Sequence, residues 1–316
     1  MHASQQSVTA EAWFPPLLLQ TAHQAIAAAL FSLRTENSVL SSNLLHWISS
    51  RCPLDDLREY FLHPQAMPLL VLPWWLEESL RGEVDPAFQA SLIAASIDGY
   101  FFIRMLDDVM DGHPVSPAAL PAMHLFSLRF HSAYHSLFPA DHPFWDVFES
   151  ALQRTAEAES ADAMLASVSE AEFLSITARK SAAALIPIAA VCFRYGREDV
   201  LPAWRSLLDT FAPWHQMHDD LLDWSEDLAA GQTTWLLSEA ERQKASDETV
   251  AVWIGRKGLR WAAERMSQWM QQLREIAAEL GSPEVSAYLD GRDALFRRQI
   301  DARIRLASLC ESVLVL

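Results

Sequence analysis

The chain has 316 residues, 51% of them hydrophobic, and a formal net charge of −17. That length and composition can bury a large core. The negative charge argues against nucleic acid and against an anionic membrane surface as partners, and leaves a small anionic substrate needing a cation or a local basic pocket.

The first ten residues show neither a basic n-region nor an apolar h-region, so no secretory signal is expected. Cys52, Cys192 and Cys310 are too few and too scattered for a disulfide framework, which favours a reducing, cytoplasmic setting. Ala- and Leu-rich periodic stretches predict an all-α chain, with helices over 11–33, 36–50, 54–62, 73–81, 86–112, 117–137, 143–159, 163–194, 199–229, 235–243, 247–280 and 284–310. Breakers separate them: Pro64 and Pro68, Pro114 and Pro117, Pro139 and Pro143, Gly196, Gly231, and Gly281-Ser282-Pro283. Pro187 and Pro213 fall inside helical patterns and should kink them. The longest apolar run, 182–193, falls well short of the roughly 20 residues that span a bilayer, so no transmembrane segment is expected. With no long linker and no repeat, one domain over 1–316 is the simplest organisation.

Asp-Asp-x-x-Asp occurs twice, as Asp107-Asp108-Val109-Met110-Asp111 and as Asp219-Asp220-Leu221-Leu222-Asp223. On a helix, positions three and four apart share a face, so Asp107 and Asp111 (i, i+4) and Asp108 and Asp111 (i, i+3) group together. The second copy continues to Glu226 and Asp227, which makes Asp219, Asp223 and Asp227 an i, i+4, i+8 ladder. Like charges on one face destabilise a bare helix and become favourable when a cation bridges them. Oxygen-only donors suit a hard ion such as Mg²⁺, which takes one or two carboxylates plus waters and substrate phosphate. The competing reading is a solvated acidic face. Lys180, one of three lysines, lies in the apolar stretch Ile176–Leu185 and must snorkel or find an anion: a metal-bound phosphate, or a nearby glutamate. Arg179 fits either role. Arg104 is placed as a salt-bridge partner for Asp108. Arg292, Arg297 and Arg298 are expected on a helix surface, with closure over a diphosphate as the alternative.

These motifs, together with Gln216-Met217-His218-Asp219-Asp220-Leu221-Leu222-Asp223, resemble those of the class I terpenoid (isoprenoid) synthase superfamily over about 91–237. The resemblance implies an all-α bundle around a central apolar pocket. It implies catalysis through Asp107, Asp108, Asp111, Asp219 and Asp223, with Asp220, Glu226 and Asp227 joining them as metal ligands. Roughly two or three Mg²⁺ ions, with Mn²⁺ as a substitute, would bridge both acidic clusters to a substrate diphosphate. Lys180, Arg179 and Gln216 would lie at the substrate, and Tyr100, Phe101 and Trp214 would line its apolar part, where aromatic faces stabilise a carbocation. A homodimer is common in the superfamily.

Two departures separate this chain from chain-elongating prenyl diphosphate synthases. It has no Gly-Lys-x-x-Arg before the first motif, where Ser50-Arg51-Cys52-Pro53 stands, and no arginine pair after Asp111. Those basic residues hold the second substrate, isopentenyl diphosphate. The expectation is therefore a terpene cyclase acting on one C15 or C20 prenyl diphosphate, with a terminating base unassigned and His215 and His218 near enough to test. The alternatives are a prenyltransferase joining two isoprenoid units, by elongation or head to head, and a non-catalytic prenyl-synthase-like subunit.

Overall fold

The computed structural model describes residues 10–35, 38–52, 57–110, 112–113 and 115–314. Among them there is no β-strand, and the expected all-α class holds. The α-helices are α1 (Pro16–Thr35), α2 (Ser38–Arg51), α3 (Leu57–Leu62), α4 (Leu72–Arg81), α5 (Pro86–Met110), α6 (Pro121–His135), α7 (Phe144–Asp162), α8 (Glu170–Lys180), α9 (Leu185–Tyr195), α10 (Leu201–Ala230), α11 (Trp235–Gln243), α12 (Val250–Trp253), α13 (Leu259–Leu280) and α14 (Pro283–Leu314).

The chain divides into two compact units. The first comprises 1–150 and 186–199, and α5 is its central helix, packed by α1, α4 and α6. Gly99 on α5 permits the close approach of α6, because a Cβ there would meet the Phe130 ring at 2.8 Å. Gly99→Ala gains up to about 1 kcal/mol of helix propensity. It is nevertheless expected to lower stability by about 1–3 kcal/mol through overpacking against that buried ring. Urea melts check this, and a more stable variant would show that Phe130 can move aside.

The second unit comprises 151–185 and 200–316, with α10 at its centre, packed by α8, α11 and α13; α14 packs on α13. Two predicted helices are interrupted, the first of them close to the Pro187 expected to kink it. The helix expected over 163–194 begins at Glu170, where Ser169 and Glu172 form a capping box. It tightens to 3₁₀ geometry at Ser181–Ala184, because Pro187 cannot donate to the carbonyl four residues back. The helix expected over 247–280 contains a π-turn at Ile254–Gly258. Pro213 does not interrupt α10.

Two helical stretches, Pro16–Thr35 and Glu170–Tyr195, are long and apolar enough to cross a membrane by length and composition. Protein covers 67% of the more apolar second stretch, as in a core helix.

Candidate metal and diphosphate site

Helix α10 carries the second acidic cluster. Leu207, Leu208, Phe211, Trp214, Met217 and Leu221 form its buried stripe. On the other face Asp219 and Asp223 are exposed and Asp227 is half-buried, so the predicted ladder lies along an open edge, with Glu226 exposed beside it. Gly231 ends the helix in the left-handed conformation (φ 70°) that glycine adopts without penalty, and its N–H donates to the Asp227 and Leu228 carbonyls.

Asp220, about 100° round the helix from Asp219, is buried and accepts from Gln216 Nε2 at 2.8 Å. Burial pushes its carboxyl up to about 7, against the pull of Gln216, with Asp227, Asp219 and Asp162 adding to the rise. Asp219 keeps 52% of its side-chain surface open. Even so, the crowding around it pushes its carboxyl up to about 6, with Arg292 opposing and Asp223 reinforcing. Metal-free protein should therefore be most stable below about pH 4 with respect to these two groups. It should lose that contribution as pH rises through about 6 and 7, since the native state holds protons the unfolded state has released. The expected result is a melting temperature in chelator that falls across this window and is restored by Mg²⁺. A rise across the window without metal would contradict it.

Lys180 takes the second of its two predicted options. Its Nζ lies 2.7 Å from Glu159 Oε2 and 2.7 Å from Asp162 Oδ2. Burial alone would lower its pKa, but these two carboxylates outweigh it and raise it. Thr155 Oγ1 donates to the Arg179 and Lys180 carbonyls at 3.3 Å, which stabilises the chain at the 3₁₀ break. Lys180 thus belongs to the electrostatic surroundings of Asp220 through Asp162. Sequence reading missed Glu159 and Asp162, although their i, i+3 spacing at the end of α7 was visible. Lys180→Met should cost about 1–3 kcal/mol by leaving the buried Glu159 carboxylate without its ammonium. Thermal melts of Lys180→Met and Lys180→Arg check this, with the arginine variant expected to recover most of the loss. Arg179 turns back on its own helix, donating from Nε to the Ser175 carbonyl at 3.2 Å.

The first acidic cluster closes α5 in the other unit. Asp107 is half-buried, with Arg104 Nη1 at 3.5 Å. Asp111 lies outside the described residues. Asp108, expected among the metal ligands, is fully buried and engaged within the protein. Its Oδ2 has Arg51 Nε at 2.7 Å and accepts from Trp47 Nε1 at 3.2 Å. Its Oδ1 has Arg104 Nε at 3.3 Å and His113 Nδ1 at 3.4 Å. The cause is positional: Asp108 points back toward α2, whereas Asp107 sits on the neighbouring face.

The aromatic residues expected at the substrate are core residues in their own units. Phe101 is buried and packs edge-on against Trp47, Phe61 and Tyr100. Tyr100 shares a short hydrogen bond with Tyr60. Trp214 is buried, stacked with Phe211 and His218. The two histidines are also engaged. His218 contacts Gln299 Oε1 at 3.0 Å, and burial lowers it to about 4, so it is neutral near pH 7. His215 contacts Arg292, which corrects the surface placement of that arginine: Arg292 is buried, while Arg297 and Arg298 are exposed.

Among the described residues, no group of three or more His, Cys, Asp or Glu side chains is arranged to hold a metal ion. The donor chemistry of the α10 ladder is that of a hard cation that keeps much of its water. It offers oxygen donors only, on an open edge, and the repulsion between Asp219 and Asp223 is the kind that a cation relieves. Asp108 does not fit that role, because arginines already neutralise it.

No family model matches the chain, and no curated protein matches it. Solved structures do. Octaprenyl pyrophosphate synthase from Helicobacter pylori superposes with a TM-score of 0.63 at 11% identity, covering 88% of this chain and 99% of its own. Geranylgeranyl pyrophosphate synthetase from the archaeon Geoglobus acetivorans gives 0.62 at 17%, covering 91% and 99%. The fold is the isoprenoid synthase fold. Polyprenyl synthase from Caulobacter crescentus CB15, complexed with calcium and isoprenyl diphosphate, gives 0.60 at 15%, covering 94% and 98%. At these identities the isoprenoid synthase likeness is one of fold.

Proposed function

We propose that the chain is a divalent-metal-dependent enzyme acting on an allylic prenyl diphosphate. The observation that carries this reading is the open Asp219–Asp223–Asp227 edge of α10, within an isoprenoid synthase fold. Asp219 and Asp223 are the ligands this edge offers, with Asp227 and Glu226 beside them; Asp107 is the candidate ligand of the first unit. A bound hard cation such as Mg²⁺ neutralises the charge that accumulates on the leaving diphosphate. Lys180 exchanges Glu159 and Asp162 for phosphate oxygens, while Gln216 donates to the buried Asp220.

Of the reactions weighed, the joining of two isoprenoid units is the better supported, because the similar structures described above are named as synthases of prenyl diphosphates or polyprenyl chains. In that reaction the allylic C–O bond breaks with its electron pair leaving on diphosphate. The double bond of the second unit attacks the allylic carbon, and a proton is then lost. Cyclisation of a single substrate is the second reading. It rests on the basic residues: Arg51 and Arg104 are both committed to Asp108, and no arginine pair follows the first motif.

Incubation of farnesyl or geranylgeranyl diphosphate with Mg²⁺, with and without isopentenyl diphosphate, separates the two. Transfer gives a longer diphosphate only when isopentenyl diphosphate is present. Cyclisation gives inorganic diphosphate and a hydrocarbon or terpene alcohol from the single substrate. No turnover of any prenyl diphosphate with metal would overturn the reading as a whole.

A further inference from the structure

Beneath the open edge of α10 lies a charge that the proposed reaction does not use. Arg292, on α14, is 1% exposed. Its Nη1 donates to Tyr288 Oη at 2.8 Å, and its Nη2 approaches His215 Nδ1 at 3.2 Å. The rings of Phe211, Trp214 and Tyr288 surround the guanidinium, with centroids 5.1–5.7 Å from Cζ, a distance at which aromatic faces attract a cation. An arginine only donates, so a neutral imidazole facing it must accept at Nδ1 and carry its proton on Nε2. His215 Nε2 is the ring atom that meets Asp219, 3.9 Å from Oδ2 and one helical turn away on the same face. This is longer than a hydrogen bond, so the contact is between a dipole and a carboxylate. The buried positive charge also holds down the Asp219 carboxyl, against the burial that raises it.

We infer that Arg292 is a positioning residue: it fixes His215 in the Nε2–H tautomer, and His215 in turn orients the Asp219 carboxylate for a divalent cation. This rests on the reading of Asp219 as a metal ligand. Arg292 and His215 need touch neither metal nor substrate. Groups that orient a ligand from behind are typically worth 10–100-fold in metal affinity.

Mn²⁺ titrated into substrate-free protein, with free Mn²⁺ read by electron paramagnetic resonance, tests this without turnover. His215→Phe, which cannot donate, should weaken Mn²⁺ binding about 10-fold. His215→Gln, which can place an N–H near the Nε2 position, should retain most of it. Nitrogen-15 shifts of His215 should show a protonated Nε2 and an acceptor Nδ1 in the parent, and loss of that preference in Arg292→Met. If Asp219→Asn weakens Mn²⁺ binding but His215→Phe does not, the positioning role is overturned while the metal reading stands. A parent His215 protonated on Nδ1 overturns it equally. If Asp219→Asn leaves Mn²⁺ binding unchanged, Asp219 is not a ligand and both fall. Should Arg292→Met fail to fold, Arg292→Lys replaces it, since a single ammonium cannot hold Tyr288 and His215 in the same fork.

Discussion

Asp223→Ala is expected to lower turnover of a prenyl diphosphate by at least about 10³-fold while leaving the far-ultraviolet circular dichroism spectrum and melting temperature nearly unchanged. The reason is the position of the residue. Asp223 is exposed at the middle of the ladder, one turn from Asp219 and one from Asp227, so its removal opens no cavity and strands no partner. What it removes is repulsion in the metal-free protein and one ligand in the loaded one. Several kcal/mol of charge stabilisation on the leaving group is at stake, which sets the size of the rate effect. Raising Mg²⁺ should recover part of the rate if the remaining carboxylates still hold the ion weakly. Full activity in the alanine variant would remove the α10 edge from the mechanism.

Asp108→Ala should behave in the opposite way. Its carboxylate is fully buried and takes Arg51, Arg104 and the Trp47 indole at once, joining α2 to the end of α5. Truncation leaves two guanidinium groups without that anion. The expected cost is about 3 kcal/mol, toward the low end for a broken buried pair because both arginines keep some contact with water. Asp108→Asn retains an acceptor for Trp47 and should lose less. Asp107→Ala, next in sequence, should lose activity and little stability. Equal stability of the Asp107 and Asp108 alanine variants in denaturant would show that the buried network contributes nothing. Two adjacent identical residues in one motif would thus differ in kind, one serving chemistry and the other the packing of its unit.

The sequence made the helices and the α10 ladder legible because both depend on spacing alone. The i, i+4, i+8 pattern at Asp219, Asp223 and Asp227 needs only a helix to form an edge. Gly231 marks the stop, and Thr234 caps the next helix by accepting from the Leu237 N–H. The capping box at Ser169 and Glu172 was equally visible but lay inside a longer apolar pattern, so the helix start was placed seven residues early, at 163 rather than 170. Other features were beyond local inspection. Whether Asp107 or Asp108 turns inward depends on Trp47 and Arg51, more than fifty residues away in the chain. Arg292 was assigned to the surface because a charge on a helix usually is. Its burial depends on His215, 77 positions earlier, and on three aromatic rings. For Lys180 the sequence offers a phosphate or a glutamate, and only the folded α7 shows that it holds Glu159 together with Asp162.

The π-turn at Ile254–Gly258 has a consequence for how this chain tolerates changes of length. Each residue added to or removed from a regular α-helix rotates everything beyond it by about 100°. A single deletion within α13 would therefore swing Met266, Trp269, Met270 and Leu273 out of the buried stripe they occupy. At the π-turn the helix already carries a surplus residue relative to an α-turn. Removing one residue there, such as the exposed Lys257, relaxes the backbone to ordinary α geometry and leaves the faces of the flanking helices in register, which a deletion at no other joint of the described helices would do.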